Sequence, residues 1–418
     1  MKNLIFLFII ASLYSCSTTK NYHVSNESKN SKESLNAPYV LLISLDGYRW
    51  DYTDKYKPKF LSSFKKSGAS VKSLRPSFPT KTFPNHLSLA TGMYPMNHGI
   101  VGNSFYAPTM RESYSLRSRE AVTDPRFYLS KPIWVLAEEQ SLKSATYFWP
   151  GSEAKIDGKF PSYYLTYNHS APHADRIKTI IEWFKLPESI RPHLVTLYFS
   201  DVDSAGHKFG PNSPEVKSAI EKVDHSLNTL NQELKRLKLP INIIIVSDHG
   251  MDDVSEEKVE LIASGELRED IELSFKIVGS GPLVHFYSND NPLISSEATL
   301  ERINKNAKNF KCYDKDSTPR KLNFRENDRI GDIVCIAKEG WSIGIKEGKL
   351  PKGNHGWSQF EGMNMHSILY ADGPDFKKNT EVGTVNNIDL YPLIAKILNL
   401  KVEHKIDGSI DKIKELLK

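Results

Sequence analysis

Long apolar runs recur along the chain with amphipathic stretches between them. Tyr39 to Leu45, Ala145 to Trp149, His193 to Phe199, Ile241 to Val246 and Ser367 to Ala371 are each nearly continuous in apolar residues. Such runs suit strands covered on both faces of a sheet. Helical periodicity fills much of the chain between them, over 57–68, 132–140, 173–185, 214–238, 296–308 and 387–398. Strands alternating with helices predict an α/β fold with a mostly parallel sheet between two helical layers. Shorter segments predict a strand at 69–74 and a strand pair around Gly279-Ser280-Gly281, a glycine pair too short for a phosphate loop. A hairpin is expected from 333–338 and 341–346 with Glu339-Gly340 at its turn. Residues 104–126 are polar, aromatic and irregular, as in an excursion over a site. A ring-rich loop follows, with Phe160, Tyr163, Tyr164, Tyr167 and His169.

The stretch from Pro79 to His86 places the hydroxyl of Thr82 where a helix begins. Threonine is a favoured N-cap, Pro84 suits the first turn, and Gly92 closes the helix. A hydroxyl there sits at the positive end of the dipole, where a phosphate oxygen is welcome. An ordinary capped helix has the same pattern, so the neighbours decide.

Length and charge narrow the field. The 418 residues are compatible with one large α/β domain. Lys plus Arg (55) exceed Asp plus Glu (50) by five, with no basic block of the kind that binds nucleic acid. Lys2 and the apolar stretch 4–13 form an export signal too short to span a bilayer. The sequence Leu13-Tyr14-Ser15-Cys16 resembles a bacterial lipobox, which implies lipidation of Cys16; a plain secretory signal is the alternative. Residues 1–16 are thus expected as a lipoprotein signal peptide, 17–36 as a flexible tether and 37–418 as a single catalytic domain. The chain is then expected to be an exported lipoprotein, membrane-anchored, facing the periplasm or at the cell surface. Cys312 and Cys335 are compatible with a disulfide or with free thiols.

Strand ends supply the chemistry. In open α/β sheets, ligands collect at the carboxyl ends of the strands. Asp46 follows the first strand, Asp203 and His207 follow 193–199, and Asp248 and His249 follow 241–246. His355 lies on a late loop. His98 is expected only to order its loop. Three aspartates and three histidines form an oxygen and nitrogen set that suits zinc. Two metals about 3.5–4 Å apart can hold both the attacking and the leaving oxygen of an in-line displacement.

Several of these segments resemble motifs of the nucleotide pyrophosphatase/phosphodiesterase family, within the alkaline phosphatase superfamily. They are Leu45-Asp46-Gly47, Pro79 to His86, Thr91 to Pro95, His98-Gly99-Ile100, Trp149 to Ser152, Asp203 to His207, Ser247 to Met251 and Gly353 to Gly356. They occur in the family's order over about 39–400. The resemblance implies an alkaline-phosphatase-like three-layer sandwich and a catalytic domain alone, without the extra modules of larger animal members. It implies two zinc ions, one held by Asp203, His207 and His355 and the other by Asp46, Asp248 and His249. Thr82 would be both nucleophile and ligand of the second. Asn103 would contact a non-bridging phosphate oxygen, and Phe83 and Tyr167 would sandwich a nucleobase. Glu153 stands where an aspartate is common. The implied reaction is hydrolysis of nucleotide pyrophosphate and phosphodiester bonds through a threonyl-phosphate intermediate. The alternatives are a phosphomonoesterase or phosphonate hydrolase using the same metals, and a non-catalytic metal-binding surface lipoprotein. A sulfatase is disfavoured, because no Cys-x-Pro-x-Arg stretch is present.

Overall fold

The computed structural model describes residues 21–346, 348 and 350–418. The signal peptide and the lipobox Cys16 lie outside the described residues. At the centre, Tyr39–Leu45 runs parallel to Leu194–Phe199 on one side and to Ile241–Val246 on the other. All three strands are buried along their whole length. Ser144–Tyr147 and Tyr163–Tyr164 extend the parallel block beyond Leu194–Phe199. On the opposite side Leu369–Asp372 and Ala69–Val71 are added antiparallel in turn, then Thr380–Val382 parallel to the latter. The nine-stranded sheet is therefore parallel in its centre and mixed at its edges.

Side-chain alternation along the central strands divides the core in two. Val40, Leu42, Ile244 and Val246 face a cluster built with the helices Thr82–Thr91, Ile133–Glu139 and Leu390–Ile397. Leu41, Ile43, Ile243 and Ile245 face a cluster built with Lys59–Ser67, His173–Phe184 and Pro214–Leu237. Two cores on opposite faces make the three-layer sandwich. Each fully buried Leu or Ile contributes about 1.5–3 kcal/mol, so register errors in these strands are heavily penalised.

A smaller antiparallel sheet, with Leu283–Ser288 and Ile333–Ala337 at its middle, has its own core against Gly265–Ser274 and Ser296–Asn306. Cys312 and Cys335 sit opposite each other on two of its strands and are disulfide-bonded. The expected hairpin over 333–346 does not form. Ile333–Ala337 pairs instead with Leu283–Ser288 and Phe310–Asp314, and Ser342–Gly344 lies parallel to Val259–Leu261. The Phe275–Ser280 and Leu283–Ser288 pair is a hairpin as expected.

Residues 21–36 differ from the expected tether. His23–Val24 pairs with Tyr163–Tyr164 at the edge of the large sheet. Tyr22 packs edge-on to Tyr163 and Trp183. The buried Asn30 side chain donates to the carbonyls of Glu188 and Arg191 and accepts from the Lys143 N–H. Polar side chains that satisfy backbone groups order a segment that composition alone reads as loose. The excursion over 104–126 is also more regular than expected, with Ser104–Ala107 and Glu112–Ser115 paired antiparallel. Among the described residues no helix is long and apolar enough to cross a membrane.

Candidate active site

The carboxyl ends of the three central strands meet the start of the Thr82–Thr91 helix. Thr82 is the first helical residue rather than the cap. Lys81 takes the cap position with extended backbone (φ −116°, ψ 156°), and no side chain caps the helix. The threonine hydroxyl is thereby released from capping, and Oγ1 lies 3.3 Å from Nε2 of His249. Gly92 closes the helix in the left-handed conformation, as expected.

Asp46 follows its strand directly and is 1% exposed. The turn after it requires Gly47 (φ +69°), because a Cβ there would come within 2.9 Å of Cα and Cβ of Asp203. That close approach brings Asp203 to the strand end, with its N–H donating to the Asp46 carbonyl. Asp203 and His207 belong to a helix, Asp201–Phe209, and one turn of spacing puts both side chains on one face.

Ligating atoms of Asp203, His207 and His355 all lie within 4.8 Å of one another, as do those of Asp46, Asp203 and His249. Asp203 is common to both groups. Asp248 joins the second through Oδ2, 3.1 Å from Nε2 of His249. The structure thus brings together the six acids and histidines singled out in the sequence, and Thr82 with them.

Three features of this cluster fit metal binding. Asp46 Oδ1, Asp203 Oδ1 and Asp248 Oδ2 are buried oxygens without a hydrogen-bond donor. Each histidine directs Nδ1 to a backbone carbonyl: His207 to Gly353 (2.8 Å), His355 to Thr80 (2.7 Å) and His249 to Gly250 (2.8 Å). That arrangement fixes Nδ1 as the donor and leaves the Nε2 lone pairs for a cation. Nε2 of His207 and Nε2 of His355 then face each other at 3.1 Å, two lone pairs that only a cation or a proton reconciles. The electrostatics agree. Burial, then Asp248 and Asp203, push the Asp46 carboxyl well above its usual range. Burial, then His249, Lys81 and His207, push the His355 imidazole well below its own.

Side chains with no such signal in the sequence hold the ligands in place. Tyr198, inward on a buried strand, donates its hydroxyl to Asp46 Oδ2 at 2.5 Å and leaves Oδ1 for the cleft. His86 lies one turn after Thr82. Its Nδ1 is 2.9 Å from the Thr82 carbonyl and 3.3 Å from Asp248 Oδ2, and its Nε2 is 2.8 Å from Ser44 Oγ. His98 is buried under the same helix, in contact with the Pro84 carbonyl and Ser88, and its Nδ1 accepts the Ile100 N–H, the loop-ordering role expected of it.

The cluster opens into a cavity of about 820 Å³ lined also by Phe83, Asn103 and Tyr167. Asn103 Oδ1 accepts the Phe83 N–H at 2.9 Å, so the remaining polar group of its side chain, the amide NH2, is a donor. Since Phe83's N–H is occupied and Pro84 has none, the helix N-terminus offers fewer donors to an anion than its position implies. Phe83 packs edge-on to Tyr114, and Tyr167 edge-on to Phe148 and Tyr198, so the two rings line one cleft from different supports. Glu153 accepts the Tyr167 N–H and pairs with Arg119 at the rim.

Comparison with known proteins places this geometry. The family model for type I phosphodiesterase/nucleotide pyrophosphatase matches residues 40–358. Ectonucleotide pyrophosphatase/phosphodiesterase family member 1 of Homo sapiens is 38% identical over 375 residues, covering 87% of this chain and 40% of the human protein. Venom phosphodiesterase 2 of Crotalus adamanteus is 34% identical over 376 residues, covering 87% of this chain and 45% of its own length. The chain therefore spans less than half the length of these curated relatives. Among solved structures, murine ectonucleotide pyrophosphatase/phosphodiesterase 5, as an inactive threonine-to-alanine variant in complex with AMP, superimposes with a TM-score of 0.84 at 34% identity. That match covers 91% of this chain and all of the murine one.

Proposed function

The chain belongs to the type I phosphodiesterase/nucleotide pyrophosphatase family, and from that membership and the geometry of the cleft we propose that it hydrolyses nucleotide pyrophosphate and phosphodiester bonds. A nucleoside triphosphate would be cleaved to its 5′-monophosphate and pyrophosphate. The observation that carries this reading is the Thr82 hydroxyl 3.3 Å from Nε2 of His249, the same nitrogen that lies 3.5 Å from Asp46 Oδ1 and 3.1 Å from Asp248 Oδ2, two buried oxygens that lack donors. Asp203, His207 and His355 would hold one zinc ion, and Asp46, Asp248, His249 and Thr82 the other. Bound there, the two ions would supply positive charge that favours the deprotonated threonine and the departing oxygen.

The residues of the chain divide the remaining work. Thr82 loses its hydroxyl proton to water and attacks phosphorus, so that an Oγ1–P bond forms as the bond to the leaving group breaks. A threonine is a weak nucleophile unless activated, and its place beside His249 suits that need. Asn103 offers its amide NH2 to a non-bridging oxygen as negative charge grows there; one such donor is typically worth about 3–4 kcal/mol. Phe83 and Tyr167 receive the base between apolar faces. A water then attacks the threonyl-phosphate, the Oγ1–P bond breaks, Thr82 regains a proton and the 5′-monophosphate leaves. One water is consumed per bond cleaved. In the same reading the chain is exported and held at a membrane through Cys16.

Product analysis with ATP tests the reaction. AMP and pyrophosphate in equal amounts are expected. Stepwise release of orthophosphate would identify a monoesterase instead.

A further inference from the structure

We propose that Lys81 binds the anionic leaving group and so sets the preference for pyrophosphate bonds over esters of weakly charged alcohols. The inference rests on the diester reading above. Lys81 stands in the cap position immediately before Thr82, and its side chain enters the cleft beside the Asp203, His207 and His355 group. Its Nζ is 3.3 Å from Oδ1 of Asn354, whose oxygen also accepts the His355 N–H. The stem fits only because residue 356 is glycine. With φ +124° and no Cβ, Gly356 leaves the space in which Lys81 Cε lies; a Cβ would approach it to 2.4 Å. Three neighbouring features therefore fix one ammonium group in this half of the cleft.

Reaction geometry gives that half its meaning. In an in-line displacement the leaving oxygen departs opposite the attacking one. In the assignment above Thr82 goes with Asp46, Asp248 and His249, so the leaving group would depart towards the ion held by Asp203, His207 and His355, on whose side Lys81 reaches Asn354. Ser280, at the tip of the small sheet's hairpin, also lines the cleft. A pyrophosphate presents several charged oxygens to this ammonium, and a lysine is a compact point charge suited to them. A nitrophenolate presents one. Binding energy from the remote phosphates is then available to the reaction only with polyphosphate substrates.

The test compares two substrates in the zinc-loaded full chain: ATP, and the 4-nitrophenyl ester of thymidine 5′-monophosphate. Lys81→Met is expected to lower the ratio of kcat/KM for ATP to that for the ester by about 10- to 100-fold. It is also expected to weaken competitive inhibition by pyrophosphate more than tenfold. Lys81→Arg keeps the charge and should hold the ratio within about threefold of wild type. Taking a ratio within one protein cancels losses of folded or loaded enzyme. A ratio unchanged in Lys81→Met, or pyrophosphate inhibition unaltered by it, overturns the proposal. Wild-type protein that releases orthophosphate stepwise from ATP would instead defeat the diester reading itself.

Discussion

Tyr198 decides which oxygen of Asp46 faces the cleft. Its hydroxyl holds Oδ2, and Oδ1 is left buried without a donor. Partners of this kind typically change metal affinity 10- to 100-fold. Tyr198→Phe is therefore expected to weaken zinc binding by about that factor, read by competition with a chromogenic chelator; an unchanged affinity would remove Tyr198 from the site. Thr82→Ala is expected to retain its zinc and lower kcat by at least about 10³-fold. Unchanged turnover would overturn the nucleophile assignment. Five of the six candidate ligands were legible in the sequence, because acids and histidines at or just beyond the ends of buried strands are conspicuous; His355, on a late loop, carries no such signal and stood out only in company with the others. Tyr198 and His86 were not: a tyrosine in an apolar strand and a histidine in a helix both read as core. Their roles depend on which face of the element meets Asp46 or Asp248, and that is set by packing.

At the scale of elements, buried histidines couple stability to pH. His285, on the strand Leu283–Ser288, accepts the Gly331 N–H on Nδ1, and burial pushes its imidazole down to about 4. Burial also drives His98 down to about 3, with Arg329 adding to the effect and the Pro84 carbonyl opposing it. Unfolded histidines titrate near 6.5. Between about pH 6.5 and 4 the unfolded chain takes up these protons and the folded chain does not, so stability is full above 6.5 and falls with acidification. Each group contributes up to about 1.4 kcal/mol per pH unit in that window. In chelator-treated protein, His285→Gln should flatten the slope of melting temperature against pH between 6.5 and 4. An identical slope would show that His285 does not titrate as described. Elements with strong local signals, such as Ile241–Val246 and Pro214–Leu237, lie where the sequence places them. The hairpin expected at Glu339-Gly340 fails for a non-local reason. The turn residues suit a hairpin, but Ser342–Gly344 finds its partner in Val259–Leu261, about eighty positions earlier. Nothing within a short window encodes that pairing.

In the whole molecule, the central sheet acts as the jig for the site. Three parallel strands deliver Asp46, Asp248 and the Asp203 helix to one rim, and the helix beginning at Thr82 packs against the same sheet. His355 arrives from a strand-loop segment far along the chain and is fixed to the Thr80 carbonyl. The α/β class and the shared rim were legible from alternation alone. The antiparallel edge strands and the docking of residues 21–36 were not, because edge pairing is decided by tertiary fit. A rigid frame that gathers unpaired carboxylates and histidine lone pairs around one hydroxyl is built for cations. Anomalous diffraction at the zinc edge from crystals of the purified chain tests this most directly. Two peaks are predicted, one against Asp203, His207 and His355 and one against Asp46, Asp248, His249 and Thr82. A single peak, or none at this rim, would contradict the paired centre.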